Sequence, residues 1–245
     1  MEKETDILKA LFKRYPVLER ERENILATFA VMERCFAKGG KLLVCGNGGS
    51  AADADHIVGE LMKGFRLNRP CSAAFGERLR AIGGDRGRLL SCTLQGALPA
   101  ISLQSNTALQ TAYLNDVGFS AVAQAVYGYG REGDVLFCIT TSGNSENLID
   151  AAICAKAMNL AVCVLTGESG GKIVEYADTA IRVAESSTFR IQELHLPVYH
   201  ALCLMLENKF FGSRREDISA YGSVRREEPF RGVYAKKPIS EPKAE

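Results

Sequence analysis

Apolar residues in this chain follow two rhythms. Between Pro16 and Lys38, Leu18, Ile25, Leu26, Phe29, Met32 and Phe36 recur at helical spacing, and Gly39-Gly40 ends the run. Pro16 stands where a helix can begin, after a shorter amphipathic segment, Ile7 to Tyr15. The second rhythm is a short continuous apolar run, a glycine- and hydroxyl-rich turn, and then a helical pattern. Lys41 to Cys45 leads through Gly46-Asn-Gly-Gly-Ser50 into Ala51 to Met62, and Asp134 to Ile139 leads through Thr140-Thr-Ser-Gly-Asn-Ser145 into Glu146 to Met158. Leu160 to Leu165 leads through Thr166 to Gly171 into what reads as another helix, and Pro99 to Leu103 and Thr179 to Val183 read as two further strands. Short apolar strands alternating with helices predict an α/β fold with a parallel sheet covered on both faces. The last helix, Ile191 to Phe210, is apolar on more than one side, which predicts burial against a partner.

Two stretches break the alternation. Residues 70–96 hold Arg78, Arg80, Arg86 and Arg88 among five glycines and read as a loop or short helix inserted before a strand. Its arginines are read as a solvated surface rather than a second anion site. Residues 213–245 carry three of the seven prolines and many charges, and read as a flexible or partner-wrapping tail.

Composition narrows the class. Of the 245 residues 47% are hydrophobic and 24% charged, the profile of an ordinary soluble globular protein. A formal net charge of +1 removes the charge argument for a nucleic-acid partner, and no apolar run approaches the roughly 20 residues of a membrane span. The acidic, polar start, Met1 to Asp6, shows no signal or transit pattern. Cys45, Cys138, Cys163 and Cys203 lie inside apolar runs with no C-x-x-C pair, so they are expected as buried thiols in a reducing, cytoplasmic setting.

The two strand-to-helix turns carry the first chemical signal. Such turns expose backbone N–H groups at a helix start, glycine lets a ligand approach, and Ser or Thr hydroxyls add donors, so the expected ligand is phosphate. One such turn is equally a good helix cap; two in corresponding positions favour phosphate. Neither turn contains the Gly-Lys-Ser/Thr of a nucleotide triphosphate loop, and Gly46-x-Gly48-Gly49 lacks the third glycine of a dinucleotide site. The second signal is the placing of the three histidines. His56 and Glu60 share a helix face one turn apart, and His195 and His200 follow Gln192 and Glu193 at the last helix. Imidazole, carboxylate and amide oxygen together suit a divalent metal, plausibly zinc, or equally proton transfer without metal. Gln192 and His200 stand roughly 12 Å apart along an ideal helix. Serving one site therefore requires a late helix start, converging side chains or two subunits.

GNGGSAADADH, TTSGNSENLIDA and STFRIQELHLPVYH, with Asn115-Asp116-Val-Gly118 between them, resemble the sugar isomerase (SIS) domain, and within it the phosphoheptose isomerases. The likeness runs in order from Val17 to Phe211. It implies a three-layer, flavodoxin-like SIS fold, a single domain over 1–212 with an N-terminal helical segment 1–38, the insertion 70–96 and the tail 213–245. It also implies a homotetramer with active sites at subunit interfaces and one Zn2+ per subunit. The family's metal ligands fall on His56, Glu60, Gln192 and His200. Its substrate-binding positions fall on Asn47, Gly48, Gly49, Ser50, Glu60, Asn115, Asp116, Thr140, Thr141, Ser142, Ser145 and Gln192, and its base and acid on Glu60 and His200. The implied reaction converts sedoheptulose 7-phosphate to D-glycero-D-manno-heptose 7-phosphate, the first step of nucleotide-activated heptose biosynthesis, with no nucleic-acid or membrane partner. Three features depart from the family pattern: the insertion, the tail, and Gly64, where many members have arginine. The rival readings are an isomerase of another phosphosugar and a non-catalytic SIS protein of the phosphosugar-sensing or replication-initiator-associating kind. The initiator-associating relatives lack the matches to Glu60 and His200 that this chain keeps.

Overall fold

A computed structural model of the chain describes residues 4–212; the tail expected at 213–245 lies outside the described residues. The chain starts with α1 (Glu4–Arg14), a 3-10 segment (Pro16–Glu21) and α2 (Arg22–Ala37). Pro16 does open a helical segment, but one of 3-10 type, and the α-helix begins only at Arg22. Leu18, Ile25, Phe29, Met32 and Phe36 are buried, whereas Leu26, one step off that stripe, is exposed.

Five strands follow, β1 (Leu42–Gly46), β2 (Ala100–Ser102), β3 (Val135–Ile139), β4 (Ala161–Gly167) and β5 (Thr179–Val183), with the helices α3 (Gly49–Met62), α4 (Ala73–Thr93), α5 (Thr107–Val117), α6 (Ala121–Tyr129), α7 (Glu146–Ala157) and α8 (Thr188–Phe211) between and after them. The strands pair in the order β2-β1-β3-β4-β5, every pair parallel, with Cys45 opposite Cys138 and Phe137 opposite Cys163. Strand period two divides the core. Leu42, Val44, Val135, Phe137, Ile139, Cys163 and Leu165 join α1, α2, α3 and α8 on one face. Leu43, Cys45, Leu136, Cys138, Val162 and Val164 join α6 and α7 on the other. Asp134 ties the starts of β1 and β3 together, accepting from the backbone N–H of Lys41 and of Arg131 and pairing with the Lys41 ammonium.

One expectation needs correction: the segment after Gly171 is only a short 3-10 turn, Lys172–Tyr176, not a further α-helix. Of the two readings of the arginine-rich stretch, loop or short helix, the structure has the helical one: Ser72 caps a helix of 21 residues that Gly84, at φ +52°, breaks into two arms. The arms fold back so closely that a side chain at Gly87 would strike the Leu79 carbonyl. Helix α8 packs on α1, α2 and α3 of the same chain. The chain divides into two compact units, Met1–Pro70 with Gln95–Ser213, and a second whose described part is Cys71–Leu94. Among the described residues no helix is long and apolar enough to cross a membrane. Cys45, Cys138, Cys163 and Cys203 are free and buried, as their apolar surroundings predicted, and burial pushes the thiols of Cys163 and Cys203 up to about 12.

His195 belongs to the core, not to a site with the other histidines. It is fully buried on α8, and neither ring nitrogen has a hydrogen-bond partner among the described residues. Burial pushes its pKa from the ordinary 6.5 down to about 4, against a weaker opposing pull from the Thr166 backbone. The folded state therefore holds it neutral while the unfolded state takes up a proton below about pH 6.5, so its contribution to stability falls as pH falls from there toward 4. Between pH 7 and pH 5 this costs about 2 kcal/mol, from roughly 1.4 kcal/mol per pH unit. Urea unfolding at the two pH values should show that loss, and His195→Leu should flatten it; an equal loss in the variant would overturn the assignment.

Candidate active site

The chain leaves β1, forms β2 on one side of it, and then places β3 on the other. The carboxyl ends of β1 and β3 are therefore neighbours where the strand order reverses, the usual position of a binding crevice in an open parallel sheet. Both glycine-rich turns predicted from the sequence leave from this point. In the first, a Cβ on Gly46 would lie 2.4 Å from the Ser50 carbonyl oxygen, and Gly48 takes φ +55° at the start of α3. Asn47, Gly48 and Gly49 are exposed and Ser50 is buried.

In the second turn the Thr140 hydroxyl accepts from the Gly143 N–H at 3.2 Å and the Ser142 hydroxyl accepts from the Asn144 N–H at 3.2 Å. Gly143, at φ +68°, presses against Gly170 and Gly171. Ser145 precedes α7 without using its hydroxyl as a cap, which leaves that oxygen beside the N–H groups of the first helical turn. The turns are joined by a reciprocal amide pair, with Asn47 Nδ2 donating to Asn147 Oδ1 at 3.0 Å and Asn147 Nδ2 donating to Asn47 Oδ1 at 2.8 Å. Gln104, just past β2, holds the end of β1 by exchanging hydrogen bonds with the Gly46 backbone.

Further along α3 lies a second polar group. His56 Nε2 is 3.3 Å from Glu60 Oε1 and 3.5 Å from His200 Nε2, so residues 144 positions apart meet because α3 packs against α8. The other carboxylate oxygen of Glu60 accepts from the Lys63 ammonium at 3.0 Å. On the far side of the ring, His56 Nδ1 is 3.1 Å from the Tyr199 hydroxyl, which donates to Asp53 Oδ1 at 3.1 Å. Burial, with the charge of Asp53 next, holds the Tyr199 phenol protonated well above its usual range. Its oxygen can then accept from His56 Nδ1–H, which leaves the His56 Nε2 lone pair facing Glu60 and His200. Burial first, and His56 second, lower the pKa of His200, against a smaller opposing pull from Glu60; burial raises that of Asp53.

The structure thus brings together His56, Glu60 and His200 in one group, and the Asn47–Ser50 and Thr140–Ser145 turns in another. Gln192 and His200 both lie within α8, which begins at Thr188, so a late helix start does not shorten their separation. The Gln192 amide instead lies against Gly49, where a Cβ would come within 2.8 Å of its Nε2. Asn115 and Asp116 are exposed near the end of α5, where the Asn115 amide donates to the Asp116 carboxylate at 2.9 Å. The Thr141 carbonyl accepts from the Gly167 N–H and so ties the second turn to β4. Sequence reasoning missed Asn147, Gln104, Asp53 and Tyr199. Asn147 and Asp53 lie inside quoted motifs, but nothing in their spacing says that one bridges two turns or that the other supports a histidine through a tyrosine.

Comparison with known proteins places the chain. Residues 7–77 and 111–206 each match a model of the SIS domain. The phosphoheptose isomerase of Desulfovibrio desulfuricans is 36% identical over 201 residues, 78% of this chain and 83% of the relative; that of Roseiflexus sp. is 36% identical over 79% and 86%. Among solved structures, the phosphoheptose isomerase of Neisseria gonorrhoeae superposes with a TM-score of 0.64 at 31% identity, covering 83% of this chain and 94% of that one. The chain belongs to the SIS-domain family, within the group of the phosphoheptose isomerases.

Proposed function

We propose that this protein is an aldose–ketose isomerase that interconverts sedoheptulose 7-phosphate and D-glycero-D-manno-heptose 7-phosphate, feeding nucleotide-activated heptose synthesis in the cytoplasm. The observation that carries the reading is the meeting of His56 and Glu60, on the helix that starts at the first glycine-rich turn, with His200 of α8. Isomerisation needs a base to remove the proton from the carbon beside the carbonyl and a donor to the oxygen on which charge develops. Glu60 is assigned as the base and His200 as the acid. The Lys63 ammonium holds one oxygen of the Glu60 carboxylate, and the other oxygen faces His56 Nε2. The turns at Asn47–Ser50 and Thr140–Ser145 take the phosphate, which does not react; its binding holds the reactive end in register.

The same group supports a bound zinc ion. Tetrahedral zinc with ligand bonds of about 2.0–2.1 Å sets its donors about 3.3 Å apart. The two spacings around His56 Nε2, 3.3 and 3.5 Å, match that edge. With Nδ1–H directed to Tyr199, the His56 Nε2 lone pair faces a carboxylate oxygen and a second imidazole nitrogen, an arrangement a cation relieves. The described residues nonetheless offer no closed cage of three His, Cys, Asp or Glu side chains, so the proposed set of His56, Glu60, His200 and Gln192 closes only with a shift of side chains. When bound, the metal would polarise the sugar's carbonyl and hydroxyl oxygens.

A homotetramer with shared sites is part of the proposal. Leu114, Val117, Phe119 and Tyr127, on α5, α6 and the turn between them, are more than half exposed, and Asn115 and Asp116 lie among them. An apolar strip of this kind suits a subunit contact that carries Asn115 and Asp116 to a neighbouring site.

Purified protein should convert sedoheptulose 7-phosphate, with the aldose product followed by NMR, and a chelator should abolish the conversion. No conversion by metal-replete protein would refute the heptose assignment, and full activity in chelator would refute the need for metal. Glu60→Gln should keep the melting temperature and lower kcat by roughly 10²–10⁴; unchanged kcat would remove Glu60 from the base role. Ser145→Asp, which sets a carboxylate against the phosphate, should raise KM for the sugar phosphate at least about tenfold with little loss of stability. An unchanged KM would return that turn to a plain helix start.

A further inference from the structure

We propose that the buried ion pair of Arg69 and Glu207 is a positioning device for Glu60 and His200; the inference rests on the reading of these two as base and acid. Helix α3 ends at Met62 without a left-handed glycine cap, because Lys63 is extended at φ −139°, ψ 175°. Its last carbonyls therefore need donors from elsewhere. Arg69 supplies two of them from the returning chain, donating from Nη2 to the Glu60 carbonyl at 3.2 Å and from Nη1 to the Leu61 carbonyl at 2.9 Å, which also accepts from the Leu98 N–H at 2.9 Å. The third face of the guanidinium, Nε, donates to Glu207 Oε1 at 2.8 Å.

Glu207 collects the rest of the segment. Its Oε1 accepts from Phe65 N–H at 2.8 Å, and its Oε2 accepts from Arg66 N–H at 2.8 Å and Leu67 N–H at 3.1 Å. Both side chains are buried, at 1% exposure or less, and the guanidinium lies 4.6 Å over the Phe211 ring. Glu207 follows His200 by two turns of α8, so one carboxylate and one guanidinium join the helix bearing the acid to the last turn of the helix bearing the base.

A buried ion pair is a poor means of gaining stability, since apolar residues of similar volume serve as well or better. What apolar residues cannot supply is a planar fork that fits two helix carbonyls and a carboxylate at once. Among the described residues, every bond of this pair ends on α3, on the segment that follows it or on α8, none on the opposite face of the sheet. The pair therefore fixes how far Glu60 stands from His200.

The test compares full-length wild type with Arg69→Lys, Arg69→Met and the neutral double variant Arg69→Met with Glu207→Gln. Readouts are melting temperature, amide hydrogen exchange and kcat against KM for sedoheptulose 7-phosphate. The double variant should recover most of the melting temperature lost by Arg69→Met. It should still exchange the amides of residues 60–67 about tenfold faster or more, and show kcat lowered roughly 10- to 100-fold with KM nearly unchanged. Arg69→Lys, which keeps the charge without the fork, should not rescue kcat. Wild-type exchange at 60–67, or kcat restored along with stability in the double variant or by lysine, would overturn the proposal. If wild type turns over no sedoheptulose 7-phosphate while the variants lose protection at 60–67, the positioning of Glu60 stands and the isomerase reading falls.

Discussion

The architecture depends on one pairing, β1 beside β3 at the middle of a parallel sheet. Both strands are buried on both faces, and the sheet can grow outward from them only by crossovers that run over helices. Parallel pairing sends both chain exits to the same edge. Two turns remote in sequence therefore emerge side by side, joined by the Asn47–Asn147 amide pair. Glycine is required where the first turn closes, because the Ser50 carbonyl leaves no room for a Cβ on Gly46. Helix dipoles then add to what the loops offer, and an anion finds N–H groups from two helix starts together.

From that edge α3 runs along α8, and their contact makes the second half of the site. The arrangement divides labour along one helix. The N-terminal end of α3 presents backbone N–H groups suited to an anion, while its C-terminal half sets His56 and Glu60 against His200 of α8. Support comes from behind in each case: Gln104 holds the backbone of the first turn, Tyr199 and Asp53 set the ring of His56, and Arg69 and Glu207 secure the end of the helix. Tyr199, Arg69 and Glu207 are more deeply placed than the side chains they serve, and burial strengthens their hydrogen bonds. Tyr199 is 1% exposed and Arg69 and Glu207 are comparably hidden, whereas the side chain of His56 is 42% exposed.

The segment Cys71–Leu94 shows the limits of reading composition as structure. Its glycines and arginines suit a loop or a short helix. Gly83 and Gly84 form the bend of two helical arms, and Gly87 is a site of close approach between them. Glycine signals a bend or a contact in either setting, and only the neighbouring backbone tells which. Leu26 makes the same point in α2: it is as apolar as Ile25, and one step around the helix leaves it at the surface.

The alternation of strands and helices, the two glycine- and hydroxyl-rich turns and the pairing of His56 with Glu60 were legible in the chain, because each rests on periodicity or spacing within a few residues. The buried cysteines were equally plain from their apolar neighbours. Only the tertiary structure decided that His200 meets His56 while His195 is sealed in the core, although both stand on the same helix. Five residues of helix already set the two rings on different sides of α8, and which side meets α3 and which the sheet is contained in no local pattern. Long-range packing also chose the partners of Glu207 and Arg69, 138 residues apart, and of Asn47 and Asn147, 100 apart. Such pairs form because the sheet order brings their elements together, and the order of strands is settled by the burial of the whole chain, not by the residues that meet.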